Sequence, residues 1–226
     1  MSNAKIYNID PIKFNLDPYP DLKAMRRNQP ISFVPELGAT LMTLRDDIFI
    51  NEKLINVFSS DQPDGLMTRL MGTNMMRKDG EAHKKERQAT FKSFSPRTVQ
   101  DVWKQSFVKA TSNILDSLQD KNTADLVTEF AMPVSAEALK VVTGLENMNS
   151  AEMDRVSQGM IDGVANYSGN IEIENNCQNC TASIDYHIDD ILPKLKNNPD
   201  NSLISVQLEA GLSIDQLRAN IKLAIS

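Results

Sequence analysis

The chain has 226 residues, 41% of them hydrophobic and 24% charged, with a net charge of −6. That length and apolar content allow a sizeable core and exclude global disorder, while the acidic balance argues against nucleic acid as a partner. Two cysteines cannot build a disulfide framework, and no run approaches the roughly 18 consecutive apolar residues of a membrane span.

The first ten residues lack the apolar run of a signal peptide, so a cytoplasmic, membrane-free protein is expected. Asp10-Pro11, Asp17-Pro18-Tyr19-Pro20 and Gln29-Pro30 predict an extended lead-in with one short helix over Tyr19 to Arg27. Ile31 to Val34 and Thr40 to Leu44 read as two strands around Pro35-Glu36-Leu37-Gly38. A helical pattern follows over Arg45 to Leu54, and Val57 to Ser60 suggests one further short strand. Asp61 to Lys78 is irregular and rich in methionine, a long loop with a helical turn near Leu66 to Met71, of the kind often used for binding.

Helices dominate the remainder. Asp79 is placed to cap a helix running to about Ser93, and Ser95 to cap a second with Pro96 at its first position. Val99, Val102, Trp103, Phe107, Ala110, Ile114 and Leu118 recur at helical spacing. A further helix spans Asp125 to Leu145, kinked at Pro133 and ended at Gly144. Ser150 caps the next, through about Asn166. After Ser168-Gly169-Asn170 a long polar helix covers roughly Glu172 to Lys196, and shorter helices start at Ser202 and Ser213. The last apolar helix reaches Ser226 without a stop signal and reads as cut. The class is mainly α with a small N-terminal β-sheet.

The segment Asp79 to Pro96 carries the most specific chemistry. His83 and Arg87 stand four residues apart and so share a helix face. When the histidine is charged the two repel by about 0.2–0.5 kcal/mol, until a carboxylate or phosphate bridges them with charge-assisted hydrogen bonds. Thr90, Phe91 and Phe94 fall on nearly the same side. A solvated charged face is the competing reading. Cys177 and Cys180 form a lone C-x-x-C whose spacing fits half a zinc site or a redox pair, but with no second cysteine pair it reads as two ordinary reduced thiols.

Asp79-Gly80-x-x-His83-x-x-x-Arg87, followed by Phe94-Ser95-Pro96, resembles the helix C segment of the cytochrome P-450 family of haem-thiolate monooxygenases. Asp17-Pro18-Tyr19-Pro20, Pro30-Ile31 with its strands, Asp125 to Leu145, and Leu217 to Ser226 resemble, in order, that family's lead-in, small sheet, helix E and the opening of helix I. The resemblance implies one incomplete helical domain of the soluble bacterial type. Residues 1–60 would be lead-in and sheet, 61–78 a substrate-side loop, and 79–226 helices C to the start of I. It implies haem as cofactor in the complete enzyme, with His83 and Arg87 binding the propionates. It implies a small organic substrate, a ferredoxin-like or flavodoxin-like electron donor, and either the missing C-terminal half or self-association to cover the open faces. Asp61–Lys78 and Met160–Ile173 would face the substrate, with Met75 or Met76 near the haem edge. Lys84, Lys85, Lys92 and Arg97 would offer a basic docking patch.

The family's ligand loop, Phe-x-x-Gly-x-x-x-Cys, has no counterpart around Cys177 or Cys180, so neither is expected to ligate iron and no catalytic or metal-binding residue is assigned. Glu152-Met153-Asp154-Arg155 mimics the family's Glu-x-x-Arg but precedes helix I, and reads as an ordinary charged face. The chain alone is expected to be inactive. The rival expectation is a non-enzymatic helical binding or scaffold protein that keeps the first half of the fold.

Overall fold

The computed structural model describes residues 2–167 and 169–226, which divide into a small unit up to Ser59 and a larger one from Ser60. In the small unit, β1 (Lys5–Ile6) pairs in parallel with β2 (Ile31–Val34), which pairs antiparallel with β3 (Ala39–Met42) in the register Ile31 to Met42. The turn between β2 and β3 is a 3-10 turn, Pro35–Leu37, closed by Gly38 at φ 60°, a left-handed position that glycine fills without strain. Helices α1 (Pro11–Leu16) and α2 (Tyr19–Asn28) follow β1, and α3 (Arg45–Asn51) follows the sheet. Ile9, Met25 and Val34 form the unit's own core, with Tyr7, Phe14, Leu22 and Leu41 packed on it.

Two expectations for this region fail. The lead-in is not extended throughout, because Asp10 Oδ1 accepts the Ile12 and Lys13 N–H groups and starts α1 with Pro11 at its first position. Residues 57–60 form no strand; Val57 and Phe58 instead close turns onto the Leu54 carbonyl.

The larger unit is helical. After α4 (Leu66–Met71) and a 3-10 turn at Met75–Arg77 comes α5 (Gly80–Phe94). Asp79 starts α5 by position, but its carboxylate accepts the Ser60 N–H at 2.9 Å rather than capping the helix. Ser95 does cap the next helix, accepting Thr98 N–H at 3.1 Å. That helix is one rod in three parts: α6 (Pro96–Thr98), a π-helical turn Val99–Trp103, and α7 (Lys104–Ser117). The helix expected over Asp125 to Leu145 changes its bonding just before the proline: a π-helical turn, Leu126–Ala131, runs into α8 (Met132–Thr143), and Pro133 stands in the first turn of α8. Gly144 ends α8 at φ 90°.

α9 (Ser150–Val164) is capped by Asn149, not Ser150; the Asn149 Oδ1 accepts Glu152 N–H at 2.9 Å. α10 (Ile171–Asn197) is the spine, burying Cys177, Cys180, Ile184, Ile188, Ile191, Leu192 and Leu195 along one stripe. α11 (Leu203–Glu209) and α12 (Ile214–Ile225) start at the serine caps Ser202 and Ser213, the latter a reciprocal capping box with Gln216.

α12 is bound to α10 by charge as well as by its apolar face. Asp185 pairs with Lys222 at 2.8 Å and Asp189 with Arg218 at 2.5 Å, two rungs one turn apart on antiparallel helices. The Lys222 side chain is 7% exposed, so its pairing to Asp185 is required rather than optional.

α9 and α10 approach closely. A Cβ at Gly159 would lie 2.4 Å from Cys180 Sγ, and one at Gly163 would lie 2.3 Å from Cys177 Sγ. The C-x-x-C pair therefore packs as small apolar residues over two glycines. Burial pushes the Cys177 thiol up to about 11, and burial likewise raises Cys180. Both thiols should therefore resist iodoacetamide at neutral pH in the native chain and react once it is unfolded, as read by intact mass; rapid native alkylation would contradict the packing.

Candidate functional site

The face of α5 that meets the protein is small and polar: Glu86, Ala89, Thr90 and Ser93 are buried. Ser93 Oγ donates to the Asn201 carbonyl at 2.6 Å, and Trp103 Nε1 donates to the Ser93 carbonyl at 2.8 Å. The helix is thus bolted along one side. At about 100° per residue, His83 stands at the edge of that buried arc, and Arg87 and Phe91 lie outside it.

The structure brings His83 and Arg87 together as the spacing predicts. They line one shallow concavity of about 280 Å³ with Lys84, Gln88 and Phe91. His83 is half-buried and Arg87 exposed. Among the described residues no side chain or backbone group pairs with the His83 ring or the Arg87 guanidinium, although carboxylates are abundant elsewhere on the surface. Phe91 is 62% exposed beside them. An unpaired imidazole and guanidinium next to a bare aromatic ring form a surface suited to an anion carried on a flat apolar body. Thr90 does not join this face; it is buried, and its hydroxyl donates to the Arg87 carbonyl at 2.8 Å.

Thr90 and Phe94 face a second concavity instead, of about 510 Å³, walled by Met67, Met75, Met76, Val164, Leu203, Leu223 and Ala224, with Asn220 as a polar member. Both regions expected to face a small molecule contribute to it, 61–78 through its methionines and 160–173 through Val164. Ser168, within the second region, lies outside the described residues, as does Met1. Flexible thioethers and aliphatic walls suit an apolar ligand of variable shape.

Sequence reasoning missed Glu86, on the buried side of α5. It is 1% exposed and pairs with Lys78. Gln216 Nε2 and Asn220 Nδ2 also donate to it, at 2.6 and 3.0 Å. One signal was available: Glu86 shares its arc of α5 with Ala89 and Ser93, small residues that invite close packing.

The basic patch is largely neutralised. Lys84 pairs with Glu81 at 3.5 Å, Lys92 with Glu209 at 3.0 Å and Arg97 with Asp101 at 3.4 Å. Of the four cations only Lys85 lacks a partner among the described residues.

Glu152 and Arg155 form more than a solvated face. Arg155 Nε and Nη2 reach the Glu152 carboxylate at 2.7 and 2.6 Å, and Ser183 Oγ donates to the same carboxylate at 2.5 Å, bridging α9 to α10. The Arg155 hydrogen bond, with Ser183, holds Glu152 at about 2 instead of 4.5. A lowered carboxylate stabilises the fold above its unfolded value and loses that contribution as pH falls through the folded one. The thermal midpoint should therefore drop between about pH 4.5 and 2, and Glu152→Gln should flatten that part of the profile; an unchanged acid limb would refute the bridge.

No family model matches the chain. Among curated proteins it is 24% identical over 198 residues to a putative cytochrome P-450, YjiB, of Bacillus subtilis, covering 85% of this chain and 48% of that protein. It is 25% identical over 180 residues to the polyketide-biosynthesis cytochrome P-450 PksS of the same organism, covering 72% and 44%. Among solved structures, the BioI cytochrome P-450 in complex with acyl carrier protein ligated to hexadec-9Z-enoic acid superposes with a TM-score of 0.73 at 14% identity, over 95% of this chain and 58% of that one. CYP109E1 of Bacillus megaterium with testosterone gives 0.73 at 17%, over 94% and 57%. The chain spans about half the length of the curated relatives it matches.

Proposed function

We propose, on the premise that this chain is related to the cytochrome P-450 family and has the fold of that family's N-terminal half, that it forms one wall of a haem pocket in a haem-thiolate monooxygenase. The observation that carries the reading is His83 and Arg87, unpaired among the described residues, beside exposed Phe91. Haem propionates are carboxylates on a flat apolar ring, so the residues present fit the group. His83 and Arg87 would hold the carboxylates, and the bolted side of α5 would fix the direction in which both side chains point. Thiolate-ligated haem supplies oxygen activation when bound.

The remaining roles belong to side chains of this chain. Met67, Met75, Met76 and Val164 would shape the cavity for a small organic substrate and keep water from it. Cys177 and Cys180, buried in the α9–α10 seam, supply no iron ligand. The cognate reaction inserts one oxygen atom from O2 into that substrate, with electrons from a ferredoxin-like or flavodoxin-like donor, and this chain alone is expected to be inactive.

Trp103 provides the test. It is the single tryptophan, and its indole is bonded to α5. Haemin titrated into the chain should quench Trp103 saturably, and the reduced carbon monoxide adduct should lack a thiolate-type Soret band. Absence of saturable haemin binding would overturn the reading in favour of a non-enzymatic scaffold.

A further inference from the structure

Glu86 gathers three donors from two separate stretches of chain, Lys78 and α12, onto one buried carboxylate. Lys78 Nζ and Gln216 Nε2 reach Oε1, and Asn220 Nδ2 reaches Oε2 at 3.0 Å. Asn220 passes the link on: its Oδ1 accepts the Met75 N–H at 2.9 Å. The direction of these bonds is fixed. The Asn220 nitrogen must face the carboxylate and its oxygen must face the Met75 N–H, so an amide flip would break both contacts. Asn220 and Met75 also wall the apolar concavity.

We propose that Glu86 is a positioning residue for that concavity: acting through Asn220, it holds the Met75–Arg77 turn against α12 and so sets the shape of the wall that meets an uncharged, apolar ligand. The ligand class rests on reading the concavity as a small-molecule site; the Glu86–Asn220–Met75 link does not depend on which anion His83 and Arg87 bind.

The bond directions supply a swap test on the full chain. In Glu86→Gln an amide nitrogen would face the Asn220 nitrogen, donor against donor. In Asn220→Asp two carboxylates would face each other. In the double variant the amide nitrogen introduced at position 86 can donate to the carboxylate introduced at position 220. The second oxygen of that carboxylate still accepts the Met75 N–H, while the amide oxygen at position 86 keeps Lys78 and Gln216. Hydrogen exchange of the Met75 amide, referenced to the Ile184 and Ile188 amides of α10, reports the link directly. Each single variant should lose roughly tenfold protection at Met75, the order expected for a buried bond in a charged network, and the double variant should return to within about threefold of the native chain. The affinity for the neutral fluorophore 1-aminoanthracene should follow the same pattern, a change that loss of global stability alone would not produce.

Unchanged Met75 protection in both single variants, or no recovery in the double, would overturn the proposal. Should Glu86→Gln not fold, Asn220→Asp against the double variant makes the same comparison. If the fluorophore fails to bind the native chain while the Met75 pattern holds, the small-molecule reading of the concavity falls and the positioning link stands.

Discussion

Glu86→Leu is expected to lower the stability of the chain by about 3–5 kcal/mol, the usual cost of removing one member of a buried charged pair. The reason is the three donors left behind. Lys78 Nζ, whose side chain is 16% exposed, loses its counter-ion, and the Gln216 and Asn220 amides lose an acceptor that water reaches poorly. Adding Lys78→Met should recover much of the loss, because the most expensive orphan is the ammonium and an apolar pair of similar size is tolerated in such sites. Urea unfolding read at Trp103 gives both values. A Glu86→Leu variant within about 1 kcal/mol of the native chain would show that the carboxylate is solvated.

Gly163→Ala and Gly159→Ala should each destabilise, even though alanine gains about 1 kcal/mol over glycine within a helix. Overpacking in a seam this close costs about 1–3 kcal/mol, so the net effect is smaller than the clash. The two positions should differ in how they are relieved. At Gly159 the added Cβ meets Cys180 Sγ at 2.4 Å, Asn176 Nδ2 at 3.0 Å and Cys180 Cβ at 3.6 Å, so Cys180→Ala removes the severe clash, leaves only the movable end of the Asn176 side chain to give way, and should rescue the variant. At Gly163 the added Cβ meets Cys177 Cβ itself at 2.6 Å, so Cys177→Ala removes the sulfur and leaves the clash. Thermal midpoints of the two double variants decide this. Equal rescue would mean that α9 and α10 separate freely, and the close approach would then not be a constraint.

The course of the chain was legible wherever the signal was local. Gly144 ends α8, Ser202 and Ser213 start α11 and α12, and Leu66–Met71 is the helical turn expected inside the methionine-rich loop. Asp10-Pro11 carried the same kind of start signal, and the density of prolines around it masked α1. Pro133 marked a change of bonding within a helical stretch, and the sequence did not show that the preceding turn, Leu126–Ala131, is π-helical. Within the candidate site, His83 and Arg87 were legible because a one-turn spacing guarantees a shared face. Glu86 was not, since its donors Gln216 and Asn220 lie 130 and 134 residues away and nothing near Glu86 announces them. The role of Cys177 and Cys180 was hidden likewise, because it depends on Gly159 and Gly163 in a different helix.

The central claim is that His83 and Arg87 recognise the carboxylates of haem. Comparing haemin with its dimethyl ester tests it most directly, because the two differ only at the propionates. The native chain should bind haemin at least about tenfold more tightly than the ester, equivalent to ~1.4 kcal/mol, as read by Trp103 quenching. In His83→Ala/Arg87→Ala that preference should vanish while the ester binds as before. A native chain that binds acid and ester alike, or a double variant that keeps the preference, would contradict the assignment.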